Sequence, residues 1–175
     1  MEIMNETLTA IFNRKSCRTF LNKPVSEDIQ QLLLQAAMSA PTAVNRQPWA
    51  FVVVDQREIL TQMANGLPYA KMLVQATLCI IVCGIPGQAF ENKHEMWIQD
   101  CSAATENVLI AAESLGLGSV WTALYPYADR ISVVRELLNI PEHVEPLSAI
   151  AIGYPASNEK PKDKFIPGNI HKNSW

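Results

Sequence analysis

The apolar residues of this chain fall into two kinds of pattern. Trp49, Phe51, Val52, Val53 and Val54 form an almost unbroken run, and so do Leu78, Ile80, Ile81 and Val82 with Cys79 and Cys83 among them. Runs without polar alternation predict strands buried on both faces. Residues 119–124 and 147–152 read as a third and a fourth strand. Elsewhere the apolar positions recur at three and four. Leu8, Ile11 and Phe12 predict a short amphipathic helix over 5–13. Ile29, Leu32, Leu33, Ala36 and Ala37 predict a second helix, with Ser26 as its N-cap, Glu27 and Asp28 in its first turn, and Pro41 beyond its end. A third helix is expected over 58–65, with Gly66 at its C′ position. The longest is expected over 96–115, with a stripe of Trp97, Cys101, Ala104, Val108, Ala111 and Leu115 and with Gly116 as its stop. Asp129 is expected to cap a last helix running to Leu138, before Pro141. Residues 153–175 form a polar tail with little periodicity.

Alternating strands and helices would suggest a doubly wound parallel sheet. Two facts oppose it: the chain opens with two helices, and no G-x-G-x-x-G follows any strand. The expected fold is therefore α+β, a mixed sheet flanked by helices. The tail is too long to be left without a role.

Composition narrows the class. A chain of 175 residues has the length of one domain, and 49% hydrophobic with 18% charged residues is that of a folded protein. A net charge of -3 argues against a nucleic-acid surface but leaves room for a local basic pocket. The residues at 1–5 read as no secretory leader, and no apolar run is long enough to span a bilayer. Cys17, Cys79, Cys83 and Cys101 lack C-x-x-C spacing, which fits a reducing cytoplasm. Cys79 and Cys83 read as core residues, and with His94 they make no metal site. His143 and His171 stand in polar segments, and nothing in the sequence makes Asp100 and Glu106 an acid/base pair.

The candidate chemistry begins at Arg14-Lys15-Ser16-Cys17-Arg18, three cations and a hydroxyl in five residues. Such a run is either a solvated loop or an anion cradle. Its cations would favour a thiolate at Cys17, although a packed small residue is the preferred reading there. Asn45 and Gln47 stand between Pro41 and Pro48, where a restricted backbone can hold their amides in place. Thr122 and Ala123 are small enough for close backbone approach to a ligand.

Five motifs in order give these residues a context. They are Arg14-Lys15-Ser16-Cys17-Arg18-Thr19-Phe20; Ala40-Pro41-Thr42-Ala43-Val44-Asn45-Arg46-Gln47-Pro48-Trp49; a helix from Asn107 followed by Gly116-Leu117-Gly118-Ser119-Val120-Trp121; Leu138-Asn139-Ile140-Pro141 with Ile152-Gly153-Tyr154-Pro155; and Lys160-Pro161-Lys162-Asp163-Lys164 before a terminal Trp175. Together they resemble the FMN-dependent nitroreductase family over nearly the whole length. The resemblance implies an α+β fold with a mixed, mainly antiparallel sheet. It implies a homodimer with FMN at the interface and a C-terminal segment reaching the partner. It puts Arg14 and Ser16, with Lys15 between them, at the FMN phosphate, joined by Lys162 and Lys164, although a solvated Lys-rich tail is the alternative. Arg18 would lie near N1 and O2 of the ring. Pro41, Thr42, Asn45 and Gln47 would lie against the flavin, Asn45 reaching the partner's. Backbone in Thr122, Ala123 and Leu124 would donate to the ring, although the sequence lacks the family's usual glycines there. Tyr125 and Tyr127 would line the substrate face or pack in the core. The implied activity is ping-pong hydride transfer from NADH or NADPH through FMN to a nitroaromatic, quinone or similar acceptor, with no catalytic side chain and no metal. The alternatives are a relative acting on flavin itself or on halogenated aromatics, and a non-catalytic flavin store. No nucleic acid or membrane partner is implied.

Overall fold

The computed structural model describes residues 4–92 and 95–175. His94 and the first three residues of the N-terminal reading lie outside the described residues. Among the described residues four strands form one sheet: β1 (Trp49–Val54), β2 (Leu78–Gly84), β3 (Gly118–Ala123) and β4 (Glu145–Gly153). Their order is β1-β2-β4-β3, and every neighbouring pair is antiparallel. The parallel component expected of a mixed sheet is, among the described residues, a single bridge, Ser16 to Ser119.

Among the described residues five α-helices cover the sheet: α1 (Glu6–Asn13), α2 (Glu27–Met38), α3 (Arg57–Gly66), α4 (Met96–Ser114) and α5 (Ala128–Leu138). Every residue of β2 is buried, which is why its sequence does not alternate. Leu78, Ile80 and Val82 share a core with α2 and α4, including Leu33, Ala37, Cys101 and Ala104. Cys79, Ile81 and Cys83 face the other core, with Leu60, Met63 and Val134 of α3 and α5. No helix is long and apolar enough to cross a membrane among the described residues.

Several local expectations are corrected. The inner stripe of α4 takes in Ala112, with Ala111 packed at its margin and Leu115 exposed, because a 3.6-residue turn drifts against a strict four-three repeat. Leu115 is the C-cap, and Gly116 follows at φ +72. The Gly116 N–H donates to the Glu113 carbonyl and the Leu117 N–H to the Ala112 carbonyl, a Schellman closure. Gly66 is the last residue of α3 and not a cap: a Cβ there would lie 2.7 Å from Val133 Cγ1, so the glycine lets α3 approach α5. Ser26 sits at the N-cap of α2 without a side-chain bond, while the Asn5 Oδ1 accepts the Leu8 N–H at 2.9 Å and caps α1. Asp129 lies inside the first turn of α5, whose N-cap is Tyr127.

Candidate functional site

The basic segment lies along the outer edge of β3. The Cys17 N–H donates to the Ser119 carbonyl at 2.9 Å. The approach is close because Gly118 has no side chain: a Cβ there would stand 2.6 Å from Cys17 Sγ and 2.7 Å from its Cβ. The next residues tie down the root of the tail. Phe20 bridges Pro155, the Leu21 N–H donates to the Tyr154 carbonyl at 2.8 Å, and the Ala156 N–H donates to the Thr19 carbonyl at 3.0 Å.

The charges of this segment are divided. Arg14, the C-cap of α1, pairs with Glu106 at 3.1 Å, and Lys15 pairs with Glu113 at 3.1 Å, both acids projecting from α4. Lys15 lines a small cavity of about 190 Å³ together with Glu113, Ser157 and Glu159. Ser16 and Arg18 are exposed. Cys17 is a packed core residue, in line with the preferred reading: burial pushes its thiol up, and this outweighs the Lys15 charge that would favour a thiolate. Burial likewise pushes Cys79, Cys83 and Cys101 up to about 12, and all four cysteines are free.

A cleft of about 620 Å³ opens between the β3 edge, the stretch 69–75 and the start of α5. Arg18, Lys71 and Arg130 line it with Val120, Trp121, Thr122 and Ala123. None of these three cations has a carboxylate partner among the described residues, in contrast to Arg14, Lys15 and Arg135. On a chain of net charge -3 this is a local concentration of positive potential.

The backbone of β3 adds directional groups. The Leu124 and Tyr125 N–H groups both donate to the Leu147 carbonyl, at 3.0 and 3.1 Å. Alternation along an antiparallel ladder then turns Thr122 toward β4, and Trp121 and Ala123 outward. Two contacts agree: the Ser119 carbonyl accepts from Cys17, and the Ala123 carbonyl accepts from Arg130 Nη1 at 3.0 Å. Of the three residues expected to donate to a ring, Ala123 therefore has its N–H toward the cleft. Leu124 is fully buried and its N–H is engaged.

The amide loop sits elsewhere. Residues 41–48 lead into β1, the sheet edge opposite β3. Val44, Asn45 and Gln47 all have positive φ, at 52, 54 and 50. Such a conformation needs support in residues other than glycine, and three bonds supply it. The Ala43 N–H donates to buried Asp100 Oδ1 at 3.1 Å, the Gln47 N–H to Thr42 Oγ1 at 3.0 Å, and Gln47 Nε2 to Asn45 Oδ1 at 3.3 Å. Both amides and Pro41 remain exposed.

One chain thus gathers Arg18, Thr122 and Ala123 in the cleft, with Arg14 and Ser16 further back along the same edge. It does not bring Pro41, Thr42, Asn45 or Gln47 there. Lys162 and Lys164 lie in the exposed tail, with no hydrogen bond or ion pair to the basic segment among the described residues. The motifs also missed Tyr69, Lys71, Gln75 and Arg130, which line the cleft from two other stretches of chain. One signal was present: Arg130 stands in the first turn of a helix, where a cation opposes the helix dipole.

Comparison with known proteins places this arrangement. The nitroreductase family profile matches residues 11–79 and 62–154. A protein of Archaeoglobus fulgidus, provisionally named an NADH dehydrogenase/NAD(P)H nitroreductase, is 42% identical over 98% of this chain and 100% of its own. A solved structure from Bacteroides thetaiotaomicron with the same provisional name superposes with a TM-score of 0.93, at 51% identity, covering 98% of this chain and 99% of the other. A Desulfovibrio desulfuricans protein, provisionally named a nitroreductase and solved in complex with FMN, gives 0.83 at 26% identity over 98% and 99%. The chain belongs to the nitroreductase family.

Proposed function

We propose that this protein is an NAD(P)H-dependent FMN oxidoreductase that reduces electron-poor acceptors such as nitroaromatics or quinones by a ping-pong sequence. The observation that carries the reading is the cleft itself. It has the size of a cofactor site. It presents unpaired cations and an outward N–H along an open strand edge. A flat ring that gains negative charge on reduction and carries an anionic tail is complementary to it, so the residues present fit FMN. When bound, FMN supplies the hydride acceptor and donor of the reaction.

The chain's own groups provide position and field. Arg18 holds positive charge where the reduced ring becomes negative. The Ala123 N–H, outward on the strand edge, offers a donor to the ring's polar edge. Arg14 and Ser16 hold the phosphate, for which Arg14 exchanges its Glu106 partner.

The site is completed by a second copy of the chain. Asn45 and Gln47 leave from the β1 edge, so in a single chain they cannot reach the cleft on β3. Apolar side chains at Ile11, Phe12, Leu32, Met38 and Val44 are 41 to 71% exposed, and the tail carries exposed Phe165, Ile166 and Trp175. Burying these against a twin would bring one protomer's amides and its Lys162 and Lys164 to the other's flavin. The free cysteines fit the reducing cytoplasm.

Stopped-flow mixing tests the activity. The FMN-loaded protein should lose its flavin colour rapidly on mixing with NADH or NADPH and regain it on adding a nitroaromatic or quinone. Colour loss without recovery would indicate a flavin store instead. No colour loss with either nucleotide would refute the reading.

A further inference from the structure

We propose that Arg130 recognises phosphate on the nicotinamide dinucleotide, forming with Tyr127 and Tyr69 the outer lip of the cleft. The inference rests on the functional reading above and adds the part of the donor that the protein grips. Arg130 is the third residue of α5, a costly place for a cation next to the helix dipole. It is nevertheless fixed in place. Its Nη1 donates to the Ala123 carbonyl at 3.0 Å, its guanidinium lies 3.7 Å from the Tyr127 ring centroid, and the Tyr69 ring centroid is 5.9 Å away. Its Nε is buried with no hydrogen-bond partner among the described residues. A buried donor left without an acceptor is destabilising, and an oxygen from a ligand in the cleft would satisfy it. The guanidinium fork matches phosphate oxygens, and stacking on Tyr127 presets its plane.

Tyr69 points to the same mouth. It has φ +60 and is 82% exposed, so its ring stands in solvent beside the cleft instead of in the core. A cavity of about 620 Å³ has room for a flavin ring and one further ring, not for a whole dinucleotide as well. With nicotinamide over the flavin, the dinucleotide's phosphates fall at the mouth. Arg14 and Ser16, which serve the FMN phosphate, do not line that mouth. The phosphate read by Arg130 is either the pyrophosphate common to NADH and NADPH or the 2′-phosphate of NADPH alone.

Calorimetric titration of the FMN-loaded protein with the redox-inert tetrahydro forms of NADH and NADPH separates these sources. In Arg130→Gln, Kd should rise about tenfold for at least one analogue. Arg130→Lys should recover part of the loss. Added salt should weaken binding more steeply in the wild type than in Arg130→Gln. A rise for both analogues identifies the pyrophosphate; a rise for the NADPH analogue alone identifies the 2′-phosphate. Unchanged Kd values in Arg130→Gln would overturn the proposal. So would a weakening that is independent of salt and accompanied by loss of FMN, since Arg130 would then only support the end of β3. A wild-type protein that binds neither analogue and is not reduced by either nucleotide would refute the functional reading, and this inference with it.

Discussion

Gly118→Ala is expected to lower thermal stability and FMN affinity together. The added methyl would fall 2.6 Å from Cys17 Sγ and 2.7 Å from Cys17 Cβ. The first atom ends a short side chain and the second is bonded directly to the backbone, so rotamer change cannot clear both. The segment must move off the β3 edge, and the 2.9 Å bond from Cys17 to Ser119 lengthens or breaks. Overpacking of this kind costs about 1–3 kcal/mol, or roughly 2–12 °C in melting temperature for a chain of this size. Arg14, Ser16 and Arg18 move with the segment, so FMN retention should fall in the same variant. Gly87→Ala is the control, since a Cβ there meets nothing within 4 Å. A melting curve and an FMN titration check both effects. Normal FMN affinity in a destabilised Gly118→Ala protein would separate the basic segment from the cofactor.

Arg14→Ala should weaken FMN about 10- to 100-fold, the loss of a charge-assisted contact worth about 1.5–3 kcal/mol. The ion pair with Glu106 supplies a discriminating partner variant. If Arg14 serves the phosphate, Glu106→Gln frees it and should leave FMN binding equal or tighter. If Arg14 only ties α1 to α4, both substitutions should destabilise the fold and neither should change FMN affinity selectively. Fluorescence titration of FMN into the two variants decides between these outcomes.

The hydrophobic pattern made the elements legible because most are buried on one or two faces. The run at 78–83 could only be a doubly covered strand, and the Gly116 stop followed from the need for a left-handed residue at the end of α4. Pairing was not legible. The order β1-β2-β4-β3 depends on contacts between distant stretches that no local period encodes. The second function of glycine was also hidden: Gly66 looked like a cap and is a spacer against Val133.

The site divides in the same way. The proximity of Arg14, Ser16 and Arg18 was legible because they lie within five residues. The cleft's other cations, Lys71 and Arg130, come from separate elements and meet only in the folded chain. At Cys17 the packed reading agrees with the structure, and the thiolate that the neighbouring charges alone would favour is opposed by burial, which dominates. Sequence order also concealed that Asn45 and Gln47 leave from the sheet edge opposite the cleft.

A crystal structure of the protein soaked with excess FMN is the most direct test. The account predicts two copies of the chain with the FMN phosphate on Arg14 and Ser16, the ring edge facing the Ala123 N–H, and Asn45 arriving from the partner. Flavin bound away from the β3 edge, or a complete site within a single protomer, would contradict it.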